Sequence, residues 1–428
     1  MTTAGAAPAQ AGLLGGLGGL VGGLLGGVVG VVTTALDTTT GLLTGADWGY
    51  SASETSMGLV NQTVGADRLQ SAGYTGRGVG VALIDTGVAS VQGLTSGNVV
   101  NGPDLSLDNP MTSLVNSDGF GHGTHMAGII AGNDGTSTGF KGVAPGAKLL
   151  SVKVGAYDGA VDVSQVIAAL DWIAQHKNDN GMNIRVINLS YGTNGVQSYQ
   201  LDPLAAAVEH AWQAGIVVVV AGGNSGTTTS SLDNPATDPF VISVGADDPS
   251  GTATSIDDTI PQFSSRGSAS RHVDIVAPGQ SIVSLRDPGS YIDTEYPSAV
   301  VNSRFFKGSG TSQAAAVVSG AVALLLQQRP NLTPDQVKAA LTSSATALPQ
   351  AGAQARGAGL LNVFGASLAL VGPSTQTWPK SSGLGTLEGA RGDVHISDNG
   401  VDLVGEQDIF GSPWDAAAWS TASAAGTA

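Results

Sequence analysis

The sequence predicts an α/β domain, a doubly wound, mostly parallel sheet flanked by helices, with low-complexity extensions at both ends. Short apolar runs recur through the middle of the chain, and longer helical stretches separate them. Hydrophobic residues make up 42% of the 428 residues, so a sizeable core can be buried.

The elements follow in order. Residues 1–46 form a Gly/Leu/Val-rich leader. No charge occurs between residues 11 and 36, and glycines recur at four-residue spacing, as in Gly12/Gly16, Gly15/Gly19 and Gly22/Gly26. That spacing suits a membrane-inserting helix with a small-residue packing face. Ten glycines in those 26 residues weaken any helix, which favours a flexible leader. No Lys or Arg precedes the run, so it lacks the basic start of a signal peptide.

Residues 47–372 carry the alternation. Apolar runs at 79–84, 149–154, 184–189, 216–221 and 240–244 read as buried parallel strands. Helical stretches lie at 161–176 and 203–214. Thr333-Pro334-Asp335-Gln336 forms a capping box, with Pro at the first helical position, and predicts a helix to about residue 346. After Pro373 the chain is polar and Gly/Ser-rich. Residues 373–428 read as a linker and extension without a compact core, despite Trp378, Trp414 and Trp419.

Composition excludes several functions. A net charge of −16 repels phosphates, so nucleic acid is not an expected partner. The absence of cysteine removes disulfides, thiolate nucleophiles and thiolate metal sites. Six scattered histidines with one close pair, His122/His125, lack the His-Glu-x-x-His pattern of a zinc protease, and no metal ligand is assigned. His125 is expected to be a hydrogen-bonded structural residue.

Three motifs and one strand end carry chemistry. An apolar strand ends at Asp85-Thr86-Gly87, where open α/β sheets gather their sites; an aspartate there also suits a simple turn. Gly121-His122-Gly123-Thr124 opens a small-residue apolar helix. Gly310-Thr311-Ser312 opens another, running through Leu326, whose first N–H groups suit a developing oxyanion as well as a capping serine. The strand over 217–220 runs into Ala221-Gly222-Gly223-Asn224, placing a carboxamide donor at its end.

The segments Asp85-Thr-Gly, Gly121-His-Gly-Thr-His, Asn188-Leu-Ser-Tyr-Gly192, Ala221-Gly-Gly-Asn224, Phe263-Ser-Ser-Arg-Gly267 and Gly310-Thr-Ser312 together resemble the subtilisin-like serine proteases, in family order over about 300 residues. The resemblance implies a serine endopeptidase that hydrolyses peptide bonds through an acyl-enzyme. Ser312 is the implied nucleophile, His122 its base, Asp85 the partner of His122, and Asn224 an oxyanion donor. It also implies that Ser190, Tyr191 and Gly192 form one edge for an extended substrate. Gly222 and Gly223 form the other wall of the first pocket, and a further edge lies near 155–157. Asp233 falls at about the level of that pocket's base, where a carboxylate would favour Lys or Arg.

Polypeptides are the expected substrates, and a secreted monomer is the expected form. The alternatives are an enzyme tethered through residues 11–36 and a non-catalytic binding module on the same fold. No cofactor is required for the chemistry. A structural calcium ion near Asn133 and Asp134 is an expectation from the family, set against an ordinary turn there. Gln313 stands where Met is frequent. Residues 1–46 hold too little core for the globular pro-domain common in such enzymes, which leaves the activation route open.

Overall fold

The computed structural model describes residues 47–48, 54–109, 113–398 and 401–428. Its centre is a seven-stranded sheet built from β1 (Gly80–Asp85), β2 (Val99–Asp104), β3 (Lys148–Lys153), β4 (Ile184–Leu189), β5 (Val217–Ala221), β6 (Ile242–Asp247) and β7 (Ile275–Pro278). The strands lie in the order β2-β3-β1-β4-β5-β6-β7, and every neighbouring pair is parallel. From β1 the chain crosses to the edge strand β2 and returns through β3, and from β4 it builds outward on the other side. The carboxyl ends of β1 and β4 meet at the switch point, where doubly wound sheets hold their ligands.

The five predicted strands are present, with ends shifted by at most three residues. Of these, β1, β5 and β6 are buried along their whole length. Two strands went unpredicted. The edge strand β2, Val-Val-Asn-Gly-Pro-Asp, is half-exposed and has neither the apolar run nor the alternation that marks a strand. The four residues of β7 are too few to give a period.

The helices that matter to the site are α1 (His122–Ala131), α2 (Val163–His176), α3 (Pro203–Gln213), α4 (Thr311–Gln328) and α5 (Pro334–Ser344). Residues 311–326 of α4 are all buried; the helix packs on β4, β5 and β6 and against α1. This explains its run of Ala, Val and Leu on all sides, since no face meets water. The Thr333–Gln336 capping box forms as expected, and α5 stops at Ser344. A small second sheet pairs β8 (Ile282–Leu285) with β9 (Phe305–Ser309), flanked by Asp47–Trp48 and Thr55–Ser56. Strand β9 leads directly into the start of α4.

The polar stretch after Pro373 lies on the domain. Helices α6 (Leu387–Arg391) and α7 (Ala416–Ala425) pack against α2 and α3. Arg391 is 0% exposed. Its Nε donates to Asp162 at 2.6 Å, and its Nη1 donates to the Gly405 carbonyl. Asp162 in turn caps α2 through the Ser164 amide. Removing one partner of a buried pair strands the other charge, so Arg391→Met should cost about 3–5 kcal/mol. Chemical denaturation of an inactive background checks this. Adding Asp162→Asn, which keeps the cap, should recover part of the loss; no recovery would contradict the pairing.

A second buried feature lies at the end of β6. Asp247 and Asp258 are both buried, and each carboxyl acts on the other. Burial, and then the neighbouring Asp258, raise Asp247 to about 9. A carboxyl with a raised folded pKa holds its proton more tightly in the folded chain. Stability therefore falls as pH rises from the ordinary carboxylate range toward that value. Asp247→Asn should then raise the melting temperature little at pH 4 and by several degrees at pH 9. Calorimetry across that range tests it, and a gap that does not widen with pH would contradict it.

Candidate active site

Asp85 is the last residue of β1, at the switch point. Its Oδ1 lies 2.7 Å from Nδ1 of His122, the first residue of α1, and both side chains are buried. The Thr86 amide donates to the same oxygen at 2.9 Å, which fixes the carboxylate from the turn side. Gly123 explains the tight glycine flank. A Cβ there would come within 2.1 Å of the Gly87 carbonyl oxygen.

The start of α1 is held by Asp118, a residue the sequence reading missed. Its carboxylate accepts from the Gly121 and Thr124 amides, each at 2.7 Å, and from the hydroxyls of Thr86 and Thr124 at 2.7 and 2.6 Å. One buried acid thus ties the Asp85 turn to the His122 helix. Burial pushes its carboxyl up, and the four donors pull it back. The loop before it is anchored by Lys153, the residue paired with Asp85 in the sheet. Lys153 donates to Asp108 at 2.7 Å and to the Leu114 and Ser117 carbonyls at 3.0 and 2.7 Å.

Ser312 is the second residue of α4 and is buried. The Asn224 side-chain oxygen accepts from the amide and hydroxyl of Thr311, at 2.9 and 3.0 Å. This contact caps α4 and orients the carboxamide, so its nitrogen is the donating atom. The Gly223 amide donates to the Thr311 hydroxyl at 3.2 Å. Ser190 donates to the Ser312 carbonyl at 3.3 Å, and Asn188 joins Ser190 to Ser319 about two turns further along α4. The strand ends at Ser190 and Asn224 are thereby tied to the helix that carries Ser312.

The remaining expected residues fall at the same end of the sheet. Ser190, Tyr191 and Gly192 follow β4, and Gly222 and Gly223 follow β5. The Tyr191 side chain turns into the core, so only its backbone is placed for an edge role. Gly155 follows β3, its amide donating to the Asp85 carbonyl. Asp233 lies behind Gly192 and Gly223. His125 is 0% exposed, its Nε2 3.1 Å from the Phe306 carbonyl oxygen, and burial lowers it to about 3.

The loop at Asn133 and Asp134 does not fit a calcium site. Both Asp134 oxygens receive the Arg304 guanidinium, at 3.1 and 2.7 Å. The Asn133 carboxamide is spent on the Gly135 amide and the Pro145 carbonyl. An arginine cation holds the place that a metal would need. Among the described residues, no group of three or more His, Asp or Glu side chains is arranged to bind a metal ion.

Comparison with known proteins agrees with this geometry. The model of the subtilase family matches residues 76–366. Serine protease AprX of Bacillus subtilis is 41% identical over 295 residues, which are 67% of this chain and 66% of AprX. Subtilisin DY of Bacillus licheniformis is 37% identical over 304 residues, covering 71% of this chain and 95% of that one. The crystal structure of fervidolysin from Fervidobacterium pennivorans, a keratinolytic enzyme related to subtilisin, superposes with a TM-score of 0.58 at 28% identity. That match covers 75% of this chain and about half, 48%, of fervidolysin. A buried Asp–His pair and a helix-start serine, on a parallel sheet of this order and with these relatives, have one common explanation: the chain belongs to the subtilase family of serine endopeptidases.

Proposed function

We propose that the chain cleaves polypeptides through a Ser312–His122–Asp85 triad. The observation that carries this is the buried 2.7 Å contact between Asp85 and His122 Nδ1, which selects the tautomer with its proton on Nδ1. Nε2 is then the basic nitrogen. Ser312 Oγ attacks the peptide carbonyl as His122 Nε2 takes its proton. The same proton passes to the departing amine as the C–N bond breaks and the acyl-enzyme remains. Water, activated by His122 in the same way, hydrolyses the ester and restores Ser312. Asp85 holds the Nδ1–H and stabilises the imidazolium as it forms.

Oxyanion charge falls to the Ser312 amide, at the positive end of α4, and to the Asn224 carboxamide nitrogen. The substrate lies extended between the 190–192 edge and the 155–157 edge, its first side chain between Gly192 and Gly222–Gly223. No step uses a cofactor. Asn224→Ala should lower kcat by about 10²–10³ with KM little changed, the range known for a subtilisin asparagine in this role. Peptide kinetics check it, and an unchanged kcat would remove Asn224 from the oxyanion site.

The protein is proposed to act as a secreted monomer. Among the described residues, no helix is long and apolar enough to cross a membrane. Residues 11–36, the alternative tether, lie outside the described residues. Cell fractionation with and without that segment separates the two settings.

A further inference from the structure

Asp233 is a buried acid without a counterpart. It is 5% exposed, and its Oδ2 has no hydrogen-bond donor. Burial is the one influence acting on the carboxyl, and it raises the group well above the usual carboxylate range. A solitary buried carboxyl is costly to keep unless something completes it.

Its surroundings point to what does. The Asp233 amide donates to the Gly222 carbonyl at 3.2 Å, which fixes it behind the β5 wall. A Cβ on Gly223 would lie 2.6–2.7 Å from the carboxyl atoms, and a Cβ on Gly192 would lie 2.8 Å from the Asp233 Cβ. Gly223 has φ 109°, a backbone region open to glycine and strained for other residues. Neither wall therefore carries a side chain where it meets Asp233, and the carboxyl lies directly against Gly223. Gly223 adjoins Asn224 and contacts Thr311, and the other wall contacts Ser312 through Ser190. A side chain entering between the walls from a peptide whose carbonyl sits at Ser312 ends at Asp233.

We infer that Asp233 makes this a protease selective for Lys or Arg immediately before the cleaved bond. This rests on the proposed function and adds the substrate class. The ammonium or guanidinium supplies both the missing donor and the missing charge. A neutral side chain leaves the acid unpaired, and an acidic one opposes it.

The test uses full-length protein and peptides identical except for Lys, Arg, Leu, Phe or Glu at that position. The expected kcat/KM for Lys and Arg exceeds that for Leu by about 10²-fold, the scale of a buried charge pair. Asp233→Asn should collapse the ratio, while Asp233→Glu should retain a preference for the cations. Equal cleavage after Leu and Lys, or a ratio unmoved by Asp233→Asn, would overturn the inference. Binding of p-aminobenzamidine, a fluorescent aryl cation, is measured in parallel on Ser312→Ala, where no chemistry is needed. Binding that Asp233→Asn abolishes supports the pocket; no binding, or binding indifferent to that change, overturns it. If no peptide is cleaved at all, the triad assignment fails, and the amidine result still decides the pocket.

Discussion

Replacing Ser312 with alanine is expected to cut peptide hydrolysis about 10⁶-fold, the scale known for removal of a subtilisin nucleophile. In the proposed mechanism the Ser312 hydroxyl oxygen forms the acyl-enzyme. The fold should be unaffected. Ser312 lies in a helix held by Asn224 and Thr311 on one side and by Ser190 on the other. Of these contacts, the Ser190 bond uses the Ser312 carbonyl, which alanine keeps. Circular dichroism and melting temperature should match the parent, and kcat should fall to the background of the oxyanion site. Residual turnover within tenfold of the parent would show that another residue is the nucleophile.

Asp85→Asn should lower kcat by about 10⁴-fold with little change in fold. The carboxylate Oδ1 accepts both from the Thr86 amide and from His122 Nδ1. A carboxamide has one oxygen and one donating nitrogen. With its oxygen in the Oδ1 place the carboxamide keeps both contacts but lacks the charge that stabilises the imidazolium; turned over, its nitrogen faces His122 and favours the tautomer with its proton on Nε2. That tautomer cannot accept the Ser312 proton. Kinetics with one peptide across pH check this, and a loss under tenfold would mean that Asp85 serves only to end β1.

The residues that could be read from the sequence share a position. Asp85, His122, Asn224 and Ser312 each stand where an apolar run begins or ends, so periodicity and site coincide. Asp118 and Lys153 do not have that advantage. Asp118 is a loop acid like many others until the fold brings Thr86, Gly121 and Thr124 around it. Lys153 reads as the end of an apolar strand, and nothing local shows that its ammonium closes the loop before Asp118. Arg391 is harder still. A charge in a Gly-rich tail predicts exposure, and only docking against α2 buries it with Asp162. The sequence placed Asp233 near the first pocket, but its solitude is a property of packing, since neither Gly192 nor Gly223 adjoins it along the chain.

The same distinction holds for the backbone. Strands β1 and β5 are apolar because both faces are covered, which leaves a plain signal. Strand β2 is an edge with Gly102 and Pro103 inside it, and its pairing with β3 is set by the sheet and not by its own residues. The cap at Thr333 was legible because all its partners lie within four residues.

The central claim is that Ser312 is a nucleophile activated by His122. Treatment with a fluorophosphonate, followed by peptide mapping in the mass spectrometer, tests it most directly. One adduct on Ser312 is predicted, lost when His122 is replaced by alanine. An adduct on another residue, or labelling of Ser312 that persists undiminished without His122, would contradict it.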